Sequence, residues 1–307
     1  MGFRVLASDP LDSKAVAAMR EAGLDVDEKT DLTPQQLEIE IASYDAIVIR
    51  SATKVRANII DAGTNLKLIV RAGVGLDNVD VEYAQSKGLT VRNTPAASSN
   101  SVAELALGHI LSLARHIGRG TVSTKAGLWE KKRLKGIEIA GKTLGIIGIG
   151  RIGQSLAQKA SALGMKILCS DAFLTESPIP DIAPMKTQDE LLAGSDFISL
   201  HIPFDPKVGP SISEPQFDVM KNGVYLLNCA RGGVIDETAL VAAMNSGKVA
   251  GVALDVFEQE PPAGDHPLFE QEAVSLTPHI GAATVEAQAR VGREAADIVI
   301  EFARSNS

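Results

Sequence analysis

A glycine-rich turn near the middle of the chain has the spacing of a phosphate-binding loop. Gly148, Gly150 and Gly153 form a G-x-G-x-x-G motif between an apolar strand pattern over 143–147 and a helical pattern. The first glycine permits a tight turn, the second lets the backbone approach a pyrophosphate, and the third lets helix and strand pack closely. The start of the helix adds unpaired N–H groups for phosphates. The turn predicts a dinucleotide site, and a glycine turn without a ligand is the alternative.

An acidic residue then selects the dinucleotide. Asp171 follows the next predicted strand, 166–170, and stands 18 residues after Gly153. A carboxylate there accepts hydrogen bonds from the ribose hydroxyls of NAD and repels the additional phosphate of NADP. Ala172 and Phe173 follow it and bring no positive charge. The stretch therefore predicts NAD as the cofactor.

Oxidation of an alcohol with a nicotinamide cofactor also needs a base for the hydroxyl proton, and histidine is the usual choice. His279 lies after a predicted strand on a turn stiffened by Pro278, so it is a candidate base, with a structural role as the alternative. His201 ends the predicted strand 196–200 and is expected to line the cofactor cleft. The remaining histidines are His109 and His116, interpreted as packing or interface residues of a helix over 102–118, and His266 in a polar loop.

Three carboxylates follow the predicted strand 249–254 and are candidates to keep that base protonatable and to orient its ring. They are Asp255, Glu258 and Glu260, and two prolines stiffen the chain directly after Glu260. Their spacing does not select one of them.

Arg231 lies just past the predicted strand 224–228 and is followed by Gly232 and Gly233. Ligands of open α/β sheets bind beyond the carboxyl ends of strands. A guanidinium there can hold a carboxylate with two hydrogen bonds and polarise a neighbouring carbonyl. The position predicts a substrate that is a 2-hydroxy or 2-oxo acid. A surface salt bridge is the alternative, although two adjacent glycines are unusual for one.

The elements that carry these residues alternate between short aliphatic strands and helical patterns, which predicts an α/β fold. Two such series predict two doubly wound, Rossmann-like parallel-sheet domains with a cleft between them. The last helical pattern, 284–304, can return to the first domain. The expected division is a discontinuous flavodoxin-like domain over 1–98 and 284–307 for substrate, and a NAD-binding domain over 99–283.

The bulk composition excludes several classes of protein. Thirty basic and 38 acidic residues among 307 give a net charge of −8, which disfavours a general nucleic-acid binder. Two cysteines, Cys169 and Cys229, form no disulfide framework and indicate a reducing compartment. No apolar run approaches the roughly 20 residues of a membrane helix, and Asp9-Pro10 comes too early for a signal peptide. We expect a cytoplasmic protein without a bound metal.

Together these stretches resemble the D-isomer-specific 2-hydroxyacid dehydrogenases. The motifs that carry the resemblance are RSATKV (50–55), RAGVGLDNVD (71–80), NTPAASSNSVAELALG (93–108), GKTLGIIGIGRIG (141–153), NCARGGVIDE (228–237), ALDVFEQEPP (253–262) and TPHIGAAT (277–284).

The resemblance implies a catalytic set of Arg231, Glu260 and His279, and so selects Glu260 among the three carboxylates. His279 would be the acid/base and Arg231 the clamp on the substrate carboxylate. The cofactor residues that it implies are Gly148, Gly150, Arg151, Ile152, Gly153, Asp171, His201, Ile202, Pro203, Cys229, Ala230 and Asp255, the last of these for the nicotinamide carboxamide.

Substrate choice is expected to depend on the first domain. Arg50, Lys54 and Arg71 lie at or just past strand ends, where several cations suit an acid that also carries a phosphate. RSATKV looks like the phosphoglycerate-oxidising branch of the family. The substrate residues implied are Arg50, Ser51, Lys54, Arg71, Gly73, Val74, Gly75 and Asn78.

The resemblance thus implies NAD-dependent oxidation of D-3-phosphoglycerate to 3-phosphohydroxypyruvate. Another enzyme of the family, a glyoxylate or hydroxypyruvate reductase, is one alternative. A NAD-sensing binding protein on the same scaffold is the other.

The expected partners are a small-molecule substrate and a second copy of the chain, as a homodimer or a homotetramer. The basic run Lys131, Lys132 and Arg133 can reach the neighbouring subunit, with Trp129 as an anchor, although such a run is more often a solvated face.

Two departures from the family pattern bear on regulation and on cofactor contacts. The chain stops at Ser307 after its closing helix, so control by a C-terminal serine-binding domain is not expected. FDPKVGPSIS (204–213) replaces a Thr-rich loop, which leaves the adenosine contacts open.

Overall fold

The computed structural model describes residues 2–306, and the chain divides into two compact units. The discontinuous unit comprises the chain up to Ser98 together with the segment from Ala282 onward, and the continuous unit runs from Ser99 to Gly281. The sequence prediction places the second boundary after residue 283, two residues later.

The discontinuous unit is built on a five-stranded parallel sheet with the order β2-β1-β3-β4-β5. This is the strand order of flavodoxin-like folds. Its strands are β1 (Arg4–Ala7), β2 (Asp25–Glu28), β3 (Ala46–Ile49), β4 (Leu68–Arg71) and β5 (Thr90–Asn93). Its helices are α1 (Ser13–Glu21), α2 (Pro34–Glu40), α3 (Ala57–Ala62), α4 (Val81–Ser86) and α11 (Val285–Ser305), with a 3₁₀ turn over Ile41–Ser43.

Alternation along its strands gives this sheet two apolar faces, because successive side chains point to opposite sides. Val5, Val48 and Val70 pack with α1 and α11 in one buried cluster. Leu6, Ile47 and Ile69 pack on the other side, with α2 and α3. The strands are therefore covered on both faces, as parallel sheets require.

The continuous unit has a six-stranded parallel sheet in the order β11-β10-β9-β8-β6-β7. Its strands are β6 (Thr143–Ile147), β7 (Lys166–Ser170), β8 (Phe197–Leu200), β9 (Val224–Asn228), β10 (Val249–Leu254) and β11 (Val274–Leu276). Its helices are α5 (Ser99–Arg115), α6 (Ile117–Lys125), α7 (Arg151–Ala162), α8 (Gln188–Gly194), α9 (Glu214–Val219) and α10 (Glu237–Asn245), with a 3₁₀ turn over Pro267–Glu270. Helices α5 and α7 cover one face, and α8, α9 and α10 the other. The predicted α/β class with two doubly wound parallel sheets is confirmed.

The helix predicted over 102–118 differs in the structure. Helix α5 begins at Ser99 and ends at Arg115, because His116 has a left-handed backbone with φ of 55° that interrupts the helical hydrogen bonds before α6. His109 and His116 therefore do not share one helix face. Ser101 is buried inside α5, and Glu104 of the same helix accepts a hydrogen bond from Asn100 at 2.7 Å.

Across the described part of the chain, no helix combines the length and the apolar character needed to cross a membrane. In the same residues, no group of three or more His, Cys, Asp or Glu side chains could hold a metal ion.

Candidate active site

The candidate site residues of the continuous unit all follow strand ends on one edge of its sheet. Arg231 follows β9, Glu260 follows β10 and His279 follows β11, and these three strands are neighbours. The glycine turn follows β6, and Asp171 and His201 follow β7 and β8. Since all six strands are parallel, these loops meet at the carboxyl edge, where ligands of such sheets bind.

His279 and Glu260 form the central pair. Nδ1 of His279 lies 2.7 Å from Oε2 of Glu260, and Oε1 of Glu260 accepts a hydrogen bond of 3.1 Å from the backbone N–H of Phe257. An ionised carboxylate can only accept, so the proton of the neutral imidazole is on Nδ1. The lone pair on Nε2 is therefore available to accept a proton, and the His279 side chain is 48% exposed.

The turn that carries His279 wraps around the carboxylate of Asp255, which is 1% exposed. Oδ1 accepts from the Thr277 hydroxyl at 2.6 Å and from the N–H of Ile280 at 2.8 Å. Oδ2 accepts from the N–H of Gly281 at 2.8 Å. These bonds compensate for burial of the charge and brace His279, whose φ is 53°. The implied contact of Asp255 with the nicotinamide carboxamide stays a prediction.

The glycines after Arg231 let two loops pack closely. A Cβ on Gly232 would lie 1.8 Å from the carbonyl oxygen of Phe257, which itself begins the loop to Glu260. Asn228 is buried, donates to the Arg231 carbonyl oxygen at 2.9 Å and accepts from the Ala230 N–H at 3.0 Å. The arginine turn is thus fixed by a side chain at the end of β9 and lies against the loop that leads to Glu260.

The glycine motif forms a turn that suits a dinucleotide. Gly148 has φ of 93°, and a Cβ there would lie 2.5 Å from the carbonyl oxygen of His201. A Cβ on Gly153 would lie 2.3 Å from the Gly148 carbonyl oxygen, whereas one on Gly150 would have no atom within 4 Å. Gly150 is the N-cap of the 12-residue helix α7, and no side chain among residues 2–306 caps that end. Its N–H groups therefore face an open space that an anion can fill.

The Asp171 carboxylate is fixed by backbone donors on both oxygens. Oδ2 accepts from the Ile149 N–H at 3.0 Å and Oδ1 from the Phe173 N–H at 2.9 Å. The residue remains partly exposed beside the glycine turn, so its oxygens retain acceptor capacity for ribose hydroxyls. These residues fit NAD.

The other implied cofactor residues include two that burial keeps uncharged. His201 is partly exposed, but its Nδ1 is buried and has no hydrogen-bond partner among the described residues, and burial lowers the pKa of His201 to about 4. Nε2 lies 2.9 Å from the hydroxyl of Ser199. Burial likewise raises the pKa of the Cys229 thiol far above its usual range. Neither side chain is therefore charged near neutral pH.

Comparison with known proteins identifies the family. Residues 107–281 match the family described as "D-isomer specific 2-hydroxyacid dehydrogenase, NAD binding domain". The chain is 49% identical over 299 residues to the hydroxypyruvate reductase of Thermotoga maritima, which covers 95% of each protein. The chain belongs to the D-isomer-specific 2-hydroxyacid dehydrogenases. It is an NAD-dependent oxidoreductase of that family.

Two further relatives are named for different substrates. This dehydrogenase is 43% identical to the D-3-phosphoglycerate dehydrogenase of Archaeoglobus fulgidus, over 98% of its own length but 58% of that protein. The D-lactate dehydrogenase of Aquifex aeolicus, solved in complex with NAD and lactic acid, superposes with a TM-score of 0.84 at 32% identity and covers 99% of this chain and 96% of that one. The chain thus spans little more than half of its phosphoglycerate dehydrogenase relative.

The discontinuous unit of the dehydrogenase carries the predicted substrate residues at its own strand ends. Arg50 follows β3, and Arg71 is the last residue of β4. Gly73 has φ of 149°, and a Cβ there would coincide with the guanidinium of Arg71, so the arginine lies directly on the glycine backbone. Ser51 and Lys54 are exposed, and Val74 and Gly75 are partly exposed.

Asn78, predicted to bind substrate, makes structural hydrogen bonds within its own unit, and its substrate role stays a prediction. Its amide donates to the carbonyl oxygens of Arg50 at 2.7 Å and Thr53 at 2.6 Å. The buried Asp9 holds the same loop through the N–H groups of Arg50 and Thr53. The structure therefore places Asn78 and Asp9 as braces of the loop that carries Arg50.

One residue of the basic run forms ion pairs within the continuous unit. Arg133 pairs with Glu130 at 2.7 Å and with Glu272 at 2.9 Å. Trp129 beside it is 84% exposed. The prediction that this run reaches another subunit therefore concerns Lys131 and Lys132 more than Arg133.

Several residues that shape the site were missed by sequence reasoning. Asn228, Thr277, Ser275 and His109 contribute hydrogen bonds to the turns of Arg231 and His279. For Asn228, Ser275 and Thr277, the sequence signal for a role in the site was their position at or near strand ends. For His109, the signal was the absence of a charged partner nearby on its helix.

Proposed function

We propose that this dehydrogenase oxidises D-3-phosphoglycerate to 3-phosphohydroxypyruvate with NAD, the first step of serine biosynthesis. The observation that carries the proposal is a set of three cations: Arg50 and Arg71 lie at the ends of β3 and β4, and Lys54 lies in the loop after β3. A phosphate needs several positive donors, and arginine matches its oxygens with paired hydrogen bonds. Small unphosphorylated acids such as glyoxylate do not need this set.

The reaction is assigned to three side chains of the continuous unit. Nε2 of His279 accepts the hydroxyl proton of the substrate, while Nδ1 stays bonded to Glu260. The Glu260 carboxylate stabilises the imidazolium that forms. The guanidinium of Arg231 holds the substrate carboxylate and polarises the oxygen that becomes the carbonyl.

Bound NAD would supply the acceptor for the hydride that leaves the carbon bearing the hydroxyl group. The backbone of Gly148, Gly150 and Gly153 and the start of α7 would hold its pyrophosphate. Asp171 would hold its adenosine ribose. The backbone of 201–203, with Cys229 and Ala230, would line the rest of the cofactor.

A second candidate function is reduction of unphosphorylated hydroxypyruvate. It is favoured by the similarity to the Thermotoga maritima reductase, which extends over 95% of both proteins. The two functions share the cofactor site and the His279–Glu260 pair and differ only in the demand for a phosphate site.

Alanine substitutions at the cations separate the two. We expect Arg50→Ala and Arg71→Ala each to raise KM for 3-phosphohydroxypyruvate by roughly 10- to 100-fold, since a charge-assisted bond contributes about 1.5–3 kcal/mol. Arg92→Ala is the matched control, because Arg92 is an exposed arginine of β5 in the same unit. Equal KM values in all three variants would contradict the phosphate assignment.

We also propose that the dehydrogenase acts as a homodimer. The continuous unit exposes four large apolar side chains in α6 and the segment after it, Ile117, Val122, Leu128 and Trp129. Exposed apolar surface of this kind supports association with a second copy of the chain.

A further inference from the structure

A buried polar chain leads from helix α5 to the turn that carries His279. His109 in α5 is 3% exposed. Its Nδ1 lies 2.8 Å from the hydroxyl of Ser275, and its Nε2 lies 3.1 Å from the hydroxyl of Thr277. The Thr277 hydroxyl lies 2.6 Å from Oδ1 of Asp255. A histidine 166 residues away in sequence from Ser275 is thus joined to the core of the active-site turn.

The hydrogen bonds of this buried polar network all have the same direction of donation. A carboxylate only accepts, so Thr277 donates its hydroxyl proton to Asp255. The Thr277 oxygen must then accept from His109, which places the proton of the ring on Nε2. Burial lowers the pKa of His109, against the opposing charge of Asp255, so the neutral ring can accept at Nδ1 from the Ser275 hydroxyl. Every donor is directed toward Asp255.

The same carboxylate fixes the backbone directly after His279. It accepts from the N–H groups of Ile280 and Gly281, each at 2.8 Å. Val102 lies seven residues before His109, on the same face of α5, and is 3.3 Å from the position that a Cβ on Gly281 would take. Helix α5 therefore holds the turn before and after His279.

We infer that His109 is a positioning residue for the reaction, which orients the Thr277 hydroxyl on Asp255 and so fixes the turn that presents His279. The inference rests on the role proposed above for His279. It assigns a purpose to a buried histidine that touches neither Glu260 nor His279.

The turn needs such support because His279 has a strained backbone and a partly exposed ring. Its backbone lies in the left-handed region, which is costly for a residue with a side chain. Its ring is about half exposed, and its Nδ1 is hydrogen-bonded to Glu260. A displacement of about 1 Å in a reacting group can cost roughly 100-fold in rate.

The test compares two substitutions with a control. His109→Met removes both hydrogen bonds at similar volume, whereas His109→Gln keeps an N–H donor for Thr277. We expect His109→Met to lower kcat by roughly 10- to 100-fold with little change in KM for NADH, and His109→Gln to recover most of that loss. Ile110→Val is the control, because Ile110 is buried in the same helix and the change lowers stability without touching the turn.

A second readout does not depend on turnover. In histidine-labelled protein, ¹⁵N chemical shifts report which ring nitrogen carries the proton. We expect Nε2–H for His109 and Nδ1–H for His279 in the wild type, and a mixed tautomer for His279 in His109→Met but not in Ile110→Val.

The outcomes separate this inference from the proposed function. An active wild type with unchanged kcat and an unchanged His279 tautomer in His109→Met would overturn the inference. A wild type that reduces no 2-oxo acid, together with the His279 tautomer change in His109→Met, would refute the proposed reaction and leave the positioning role of His109 supported.

Discussion

At the scale of single residues, the proposed chemistry depends on where one hydrogen atom is held. Glu260 is itself fixed by the Phe257 N–H and therefore accepts from Nδ1 of His279 in one orientation. This leaves Nε2 as the basic atom and places a negative charge next to the ring that becomes positive. The pair acts as a unit, because removal of either member changes the tautomer or the charge.

Substitution of the base should stop turnover while the cofactor still binds. We expect His279→Gln to lower kcat by about 10²–10⁴-fold, the usual contribution of a general base, with NADH affinity unchanged in a fluorescence titration. His116→Asn is the control, because asparagine tolerates the left-handed backbone that His116 has. Undiminished turnover in His279→Gln would refute the assignment of the base.

Strand patterns made His279 and Arg231 candidates, and the family resemblance selected Glu260 among the three carboxylates after β10. The sequence did not reveal the residues that hold the turns of these side chains by hydrogen bonds. Asn228 looks like an ordinary strand terminus, and His109 lies on a helix far away in sequence, so only the fold shows that its ring meets Thr277. Sequence reasoning also gave no sign that the amide of Asn78, a predicted substrate residue, holds the Arg50 loop.

At the scale of elements, the turn between β6 and α7 combines two kinds of glycine. Gly153 is needed by the protein itself, since a Cβ there would lie 2.3 Å from the Gly148 carbonyl oxygen. Gly150 faces open space and is needed only if a ligand approaches the start of the helix. Within one motif, Gly153 is therefore required for packing and Gly150 for ligand binding.

These requirements can be separated by matched alanine substitutions. We expect Gly153→Ala to destabilise the cofactor-free protein by about 1–3 kcal/mol through overpacking, visible as a lower melting temperature. Gly150→Ala should leave that temperature nearly unchanged and weaken NAD binding at least tenfold in calorimetry. NAD affinity equal to wild type in Gly150→Ala would contradict the placement of the pyrophosphate.

Most strands were predictable because parallel strands covered on both faces are continuous apolar runs. Strand β2 was missed because its sequence, DVDE, is mostly charged, as suits an edge strand. The break between α5 and α6 was also missed. Histidine is not a strong helix terminator, so the left-handed conformation of His116 has no clear local signal.

At the scale of the whole molecule, the net charge of −8 would repel an anionic substrate at long range. Recognition of a phosphorylated acid therefore needs cations placed locally, which is the role proposed for Arg50, Lys54 and Arg71. The exposed apolar side chains around Trp129 pose a second question at this scale, because water disfavours such a surface unless a partner covers it.

We expect light scattering to give twice the chain mass of 32.3 kDa. Trp129→Asp should shift the protein toward the monomer, because it places a charge in an apolar contact. Ile39→Asp is the control, since Ile39 is 79% exposed on the other unit. A monomeric wild type would refute the proposed dimer.

A comparison of four 2-oxo acids as substrates shows whether the enzyme recognises a phosphate group. Wild-type protein and NADH are mixed with 3-phosphohydroxypyruvate, hydroxypyruvate, glyoxylate and pyruvate in turn, and kcat/KM is taken from the loss of NADH absorbance. We expect a kcat/KM for the phosphorylated acid at least about 100-fold above the others, as two charge-assisted contacts would give. A preference for hydroxypyruvate or glyoxylate would contradict the phosphate site, and no turnover with any of the four acids would contradict the proposed reaction itself.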